Sequence, residues 1–268
     1  MRQLDVRIEA ALGTYDQDCR WDLIGGILDE CPDDVQEESA KLLAGQLDRG
    51  RALGADILGR LAVIEPAKRA DIEGALVAAL AVEKTATSTA SILAALGHVG
   101  DPGTLNLIFP FSLHPSAEVR LAVAFAVATV SPSPLAPEAR MTLIRLSQDC
   151  DDEVRDWATF GLGTLSDVDG PDVRAALLAR AEDLNHEARA EALFGLAVRR
   201  DPRAVPHLIR ALQSPLVGGL EVEAAAAAGD PRLLPALWAL QQSGRADQSR
   251  LRRAIDRCSG RDMPAFLA

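Results

Sequence analysis

At 268 residues and 28.5 kDa the chain is long enough for one or two closed domains. Hydrophobic residues make up 48% of it but aromatics only 4%, so Ala and Leu must build the core. A net charge of −11 with a pI near 4.9 argues against the basic surface that displaces counterions from nucleic-acid phosphates. No apolar stretch is long and uncharged enough to cross a bilayer. Met1 to Gly13 is charged and lacks the apolar centre of a signal peptide.

Along the chain, helical patterning starts early, but its register is blurred over residues 1–84. Asp34-Val35 followed by Leu42 and Leu43 opens one divergent unit, and Gly54 to Ala81 supplies most of another. The pattern then sharpens. Glu118-Val119-Arg120, Glu153-Val154-Arg155 and Glu187-Ala188-Arg189 recur at intervals of 35 and 34 residues. A period of that size on helical sequence means a stack of helix pairs. Three residues before each Val/Ala anchor stands a capping type, Ser116, Asp151 or Asn185, able to accept the free N–H groups of a first turn. The Glu beside each anchor then sits where negative charge suits the helix dipole. Apolar spacing after the anchors is helical: Val154, Ala158, Gly161, Leu162 and Leu165, matched by Val119, Val123, Ala126, Val127 and Val130. The third copy reads Ala188, Ala192, Gly195 and Leu196. A looser first copy aligns Ala95-Leu96-Gly97 with Gly161-Leu162-Gly163, which puts its anchor at Ser88 and its cap at Thr85.

The other half of each unit is marked by Asp101-Pro102, Asp201-Pro202 and Asp230-Pro231, a cap followed by Pro at the first helical position. Ala136-Pro137 and Gly170-Pro171 hold the same place with weaker caps. Apolar runs follow, as in Val205, Leu208, Ile209 and Leu212. Ala246 to Cys258 reads as a charged terminal helix that ends the stack, and Ala224 to Ala228 is an Ala run within a helix.

Residues 85–243 resemble the HEAT repeat family in its short bacterial form, as used in bilin lyases. The likeness rests on Ala95-Leu96-Gly97-His98-Val99-Gly100-Asp101-Pro102, the Val-Arg helix openings and Asp201-Pro202-Arg203-Ala204-Val205-Pro206. The resemblance implies an all-α, right-handed α-solenoid of about seven antiparallel helix pairs at ~34 residues each. One continuous solenoid would comprise divergent repeats over 1–84, regular repeats over 85–243 and a capping helix and tail over 244–268. It also implies a concave surface lined by the second helices, and Arg ladders between units. Arg120, Arg155 and Arg189 fit such a structural ladder, bonded to carboxylates or loop carbonyls of adjacent units.

On a helical wheel at ~100° per residue, Phe160 falls opposite the core positions of its helix, with Trp157 toward the same edge. Phe125 and Phe194 hold the equivalent place, six residues after their anchors. The three Phe rings are therefore expected in a row across successive second helices, with Asp156 and Glu191 at its edges and Glu221 as an extension. Exposed apolar patches mark interaction sites, and aromatics serve as anchors. The competing reading packs these rings sideways on the next unit, into gaps left by Gly161 and Gly195.

Cys19, Cys31, Cys150 and Cys258 show no CxxC spacing, which points to reduced thiols in a cytoplasm. His98, His114, His186 and His207 lack ligand spacing, so no metal or other cofactor is expected. Arg245, Arg250, Arg252, Arg253, Arg257 and Arg261 form a basic tail read as a solvated cap. No phosphate loop, HExxH or GxSxG occurs. The expected function is a non-catalytic scaffold that binds a protein or peptide partner in its concave groove, with a basic partner suiting the acidic edges. Family resemblance leaves two alternatives: a bilin-lyase-like tetrapyrrole-handling protein, and a HEAT-like DNA-binding or base-excision protein, which the charge disfavours. Neither the partner nor the oligomeric state can be read from the sequence.

Overall fold

The computed structural model describes residues 3–14, 16–30, 34–131 and 134–260. Helices and loops account for all of them, and no strand occurs among the described residues. The chain divides into two compact units, Met1–Pro132 and Ser133–Ala268.

The first unit contains α1 (Gln3–Gly13), α2 (Gln17–Glu30), α3 (Val35–Leu43), α4 (Asp48–Ile64), α5 (Arg69–Leu80), α6 (Ala86–Val99), α7 (Leu105–Ile108) and α8 (Ala117–Val130). Sequence neighbours pair, and the alternate helices α4, α6 and α8 pack directly on one another. The second unit contains α9 (Pro137–Leu146), α10 (Asp152–Gly163), α11 (Pro171–Arg180), α12 (His186–Val198), α13 (Ala204–Gln213), α14 (Gly219–Ala228), α15 (Leu234–Ser243) and α16 (Gln248–Cys258). Here α10, α12, α14 and α16 form the corresponding stack. Each unit is thus a repeat array of helix pairs.

The caps explain where the stacked helices begin. Asp151 accepts the N–H groups of Glu153 and Val154, and Asn185 accepts that of Ala188. Thr85 and Ser116 hold the N-cap position with extended backbone but make no side-chain capping bond. Asp101 and Asp230 cap short 3-10 turns that lead into α7 and α15, accepting from Gly103 and Arg232 at 2.9 Å each. Asp201 accepts Arg203 N–H at 3.0 Å ahead of α13. The residue before each of these three Asp lies in the left-handed region: Gly100 at φ 79°, Arg200 at φ 52° and Gly229 at φ 60°.

Anchor residues Val119, Val154 and Ala188 are fully buried, as are Val123, Ala158, Leu162, Ala192 and Leu196 behind them. Burying each larger side chain contributes about 1.5–3 kcal/mol. Leu165 departs from this pattern and is 45% exposed. α10 ends at Gly163, so the chain leaves helical phase before reaching it. The N-terminal register also differs from the sequence reading. Gly54 lies in the middle of α4, which pairs with α3, while α5 pairs with α6.

Between α10 and α12 the backbones touch. A Cβ on Gly195 would stand 2.6 Å from Gly163 Cα, and one on Gly163 would stand 2.6 Å from the Glu191 carbonyl oxygen. The gap at Gly195 is therefore closed by backbone and by Leu177, not by a Phe ring. Between α6 and α8 the arrangement is different: the Phe125 ring lies over Gly97, 2.8 Å from where a Cβ would stand.

Candidate functional site

Arg51, Arg120, Arg155 and Arg189 occupy the same slot, four residues after the N-caps of α4, α8, α10 and α12. Each guanidinium donates to carbonyls of the loop just ahead of its own helix. Arg51 reaches Gly45 and Gln46 at 3.2 and 2.8 Å, and Arg120 reaches His114 and Pro115 at 2.8 and 3.0 Å. Arg155 reaches Asp149 and Cys150 at 3.1 and 3.2 Å, and Arg189 reaches Asp183 at 2.6 Å. Arg51 and Arg155 also grip a carboxylate of the following repeat with two parallel bonds. These run to Glu83 at 2.6 and 3.0 Å and to Asp183 at 2.9 Å each.

The same carboxylates accept the backbone N–H of Thr85 and Asn185, at 2.9 and 3.0 Å. The Arg51 bond leads the effects that hold Glu83 down to about 2. Burial would raise Asp183, but Arg155, the Asn185 N–H and Arg180 outweigh it and keep that carboxyl below its ordinary range. The sequence reading missed Arg51 and Glu83. Their signal was present, but Gly50 replaces the Val/Ala anchor there.

Of the expected aromatic row, Phe125 belongs to the first unit, and Trp157, Phe160 and Phe194 belong to the second. All four are half-buried, neither enclosed nor fully open. Phe125 meets His98 edge to face at 5.0 Å and 62°, so this ring does pack sideways on the neighbouring helix. Trp157 and Phe160, three residues apart on α10, meet edge to face at 5.6 Å and 82°. Such pairs contribute about 0.5–1.5 kcal/mol beyond their burial.

Beside this pair the electrostatics are unusual. Asp156 is half-buried and makes no hydrogen bond or ion pair among the described residues. Burial, reinforced by the charges of Glu187 and Glu153, pushes its carboxyl up to about 6. Glu191 on α12 is also raised, first by burial and further by Asp156, although the Thr164 hydroxyl donates to it and opposes the rise. Both carboxylates thus lack a counter-charge. Glu221 does not extend this edge. It is buried at the start of α14, accepts the Gly218 N–H at 3.0 Å and lies 2.9 Å from His186 Nε2.

The basic helix α16 is partly spent within its own unit. Arg250 and Arg253 approach Glu223 at 3.2 and 3.8 Å, and Arg245, in the loop ahead of α16, donates to the Ser214 carbonyl at 3.2 Å. Cys19 is an exposed thiol, Cys258 a buried one, and the Cys150 thiol donates to Asp149 at 3.5 Å, while Cys31 and Arg261 lie outside the described residues. His114 accepts the Ser116 N–H at 3.1 Å and so stabilises its turn. No cluster of three or more metal-ligating side chains occurs among the described residues. None of their helices is long and apolar enough to cross a membrane.

Paired helices, periodic caps and inter-repeat arginines together define a helical repeat protein. Residues 188–214, which hold most of α12 and all of α13, match the family model described as the PBS lyase HEAT-like repeat. No curated protein matches the sequence. Among solved structures, YibA of Escherichia coli is 23% identical over 97% of this chain and 93% of its own, with a TM-score of 0.73. An engineered protein is 17% identical over 96% of this chain and 77% of its own, with a TM-score of 0.58. At these identities the likeness establishes the fold alone. Human deoxyhypusine hydroxylase is 20% identical over 95% of this chain and 93% of its own, with a TM-score of only 0.36.

Proposed function

We propose that the protein is a non-catalytic, cytoplasmic repeat scaffold. In this reading the exposed side of its stacked second helices receives a protein or peptide partner that presents apolar residues among Lys and Arg. The observation that carries this reading is Asp156, a desolvated carboxylate with only like charges around it, next to the Trp157–Phe160 pair. A carboxylate kept from water without a cation costs stability, and a cation brought by a partner would remove that cost. Trp157, Phe160 and Phe194 would supply apolar anchors, with Asp156 and Glu191 choosing the charge of what binds beside them. Arg120, Arg155 and Arg189 would hold the repeats in register.

Two sets of fluorescent peptides test this, one with Trp and Leu among Lys and the other with the same apolar residues among Glu. The Lys set should bind wild type and lose about tenfold or more in a Trp157→Ala/Phe160→Ala variant of equal helicity. Equal affinity for both sets, or undiminished binding by the variant, would refute the reading. The name of the matched repeat keeps tetrapyrrole handling as the alternative, which would instead appear as a shifted absorbance band on incubation with a bilin.

A further inference from the structure

The first unit holds a second cluster, unrelated to the aromatic pair on α10. Trp21 and Gly25 of α2, Arg60 of α4 and His98 of α6 line a cleft of about 340 Å³. Three features make it unlike the rest of the surface. Arg60 is exposed and makes no hydrogen bond or ion pair among the described residues. Its natural helical partner would be Asp56, four residues earlier. That carboxylate is instead held by Arg20 of α2 at 2.5 Å, which leaves the Arg60 guanidinium open. In a chain of net charge −11 such a cation is conspicuous.

The second feature is the imidazole. Burial, and then the Arg60 charge, hold His98 below its ordinary range, so it stays neutral with one ring N–H donor and one acceptor. Phe125 fixes its ring edge to face. The third is space. A Cβ at Gly25 would meet nothing within 4 Å, and Trp21 is 38% exposed, which leaves an indole beside an open volume.

We propose that this cleft binds a carboxylate carried on a flat aromatic body. Arg60 takes the two oxygens with its planar fork, His98 donates a further hydrogen bond, and the aromatic body lies against Trp21 over Gly25. A single cation suits a singly charged group better than a phosphate dianion. The volume is near the lower end of small-molecule sites, roughly 300–1,000 Å³. It therefore suits either a free aromatic acid or the C-terminal aromatic residue of a peptide.

Calorimetry with the full chain tests this, using 2-naphthoate, 2-naphthamide, 2-naphthyl phosphate and a short peptide ending in Trp with its carboxylate free or amidated. The expected result is binding of naphthoate or of the free-acid peptide, the tighter of the two identifying the source. Amidation should weaken it about tenfold or more, as should Arg60→Gln. Gly25→Leu, which fills open space on a helix surface, should abolish binding while leaving the melting temperature unchanged or higher. Failure of both carboxylates to bind at millimolar concentration would overturn the proposal. So would equal binding to Arg60→Gln and Gly25→Leu, or tighter binding of the phosphate.

Discussion

Replacing Asp156 with Asn tests whether an uncompensated carboxylate is held beside the aromatic pair. In the folded chain this group is raised from the ordinary 3.8 to about 6, mainly by burial and then by Glu187 and Glu153. Well below the ordinary value of 3.8 the carboxyl is protonated in both folded and unfolded chains, and it contributes nothing to the pH dependence. As the pH rises from about 4 to about 6, the unfolded chain releases its proton first, so stability falls. Above that window the penalty is complete. The shift sets an upper bound of about 3 kcal/mol, which partial solvent exposure reduces to about 1–2 kcal/mol. Asn keeps the shape and cannot ionise. Asp156→Asn should therefore match wild type near pH 3.5 and exceed it by about 1–2 kcal/mol at pH 8, with the gain appearing between pH 4 and 6. Urea unfolding followed by circular dichroism across that range measures the difference, and other titrating groups cancel in the comparison. A variant equal to wild type at pH 8, or less stable there, would refute the reasoning. A more stable protein that no longer binds the Lys peptides would mark the carboxylate as retained for binding.

Three further outcomes are expected. Arg200 is exposed at φ 52°, where Gly100 and Gly229 stand in the parallel turns, so Arg200→Gly should stabilise by about 0.5–1 kcal/mol. The melting temperature should then rise by about 2–4 °C, while Gly229→Arg should lower it. Arg199→Ala should destabilise by about 3 kcal/mol in urea titration, because its guanidinium donates to the carbonyls of Leu162, Gly163, Ser166, Val168 and Gly195. Lys, lacking the planar fork, should not restore it. Gly195→Val should cost about 3 kcal/mol or prevent folding, since its side chain would enter the Gly163 backbone, and a thermal melt beside wild type checks this.

The pairing of helices was legible because periodic signals are local. The Glu-Val-Arg phrases, the Asp151 and Asn185 caps and the Asp-Pro turns each depend on neighbours a few residues away. Where the phrase loses its apolar anchor, as at Gly50-Arg51, the same arginine escapes notice although its bonding is the same. Gly54 was misplaced for a related reason. A glycine reads as a boundary, yet here it admits the Ser39 carbonyl oxygen to 2.5 Å of where a Cβ would stand, within a continuous α4.

The candidate sites were less legible. A wheel angle brings Phe160 to the side of α10 away from the core, but it cannot tell that Trp157 meets that ring or that Asp156 lacks a cation. The Trp21, Arg60 and His98 cleft draws on three helices whose proximity depends on packing, and only the side chains, not the spacing, make it chemically distinct.

Arg199 has a consequence for the order in which the second unit is assembled. The last carbonyls of α10 and of the loop after it receive their donors from a residue at the far end of α12, more than thirty positions later in the chain. Without that residue, the Ser166 hydroxyl at 3.2 Å is the local donor left to the Leu162 carbonyl, and the end of α10 should fray more readily. Arg199 thus adds to the Arg155–Asp183 bonds and the Gly163–Gly195 contact a coupling that completes one helix from the end of the next. A chain truncated just before Arg199 would lose order upstream of the cut, in a helix whose own sequence is intact.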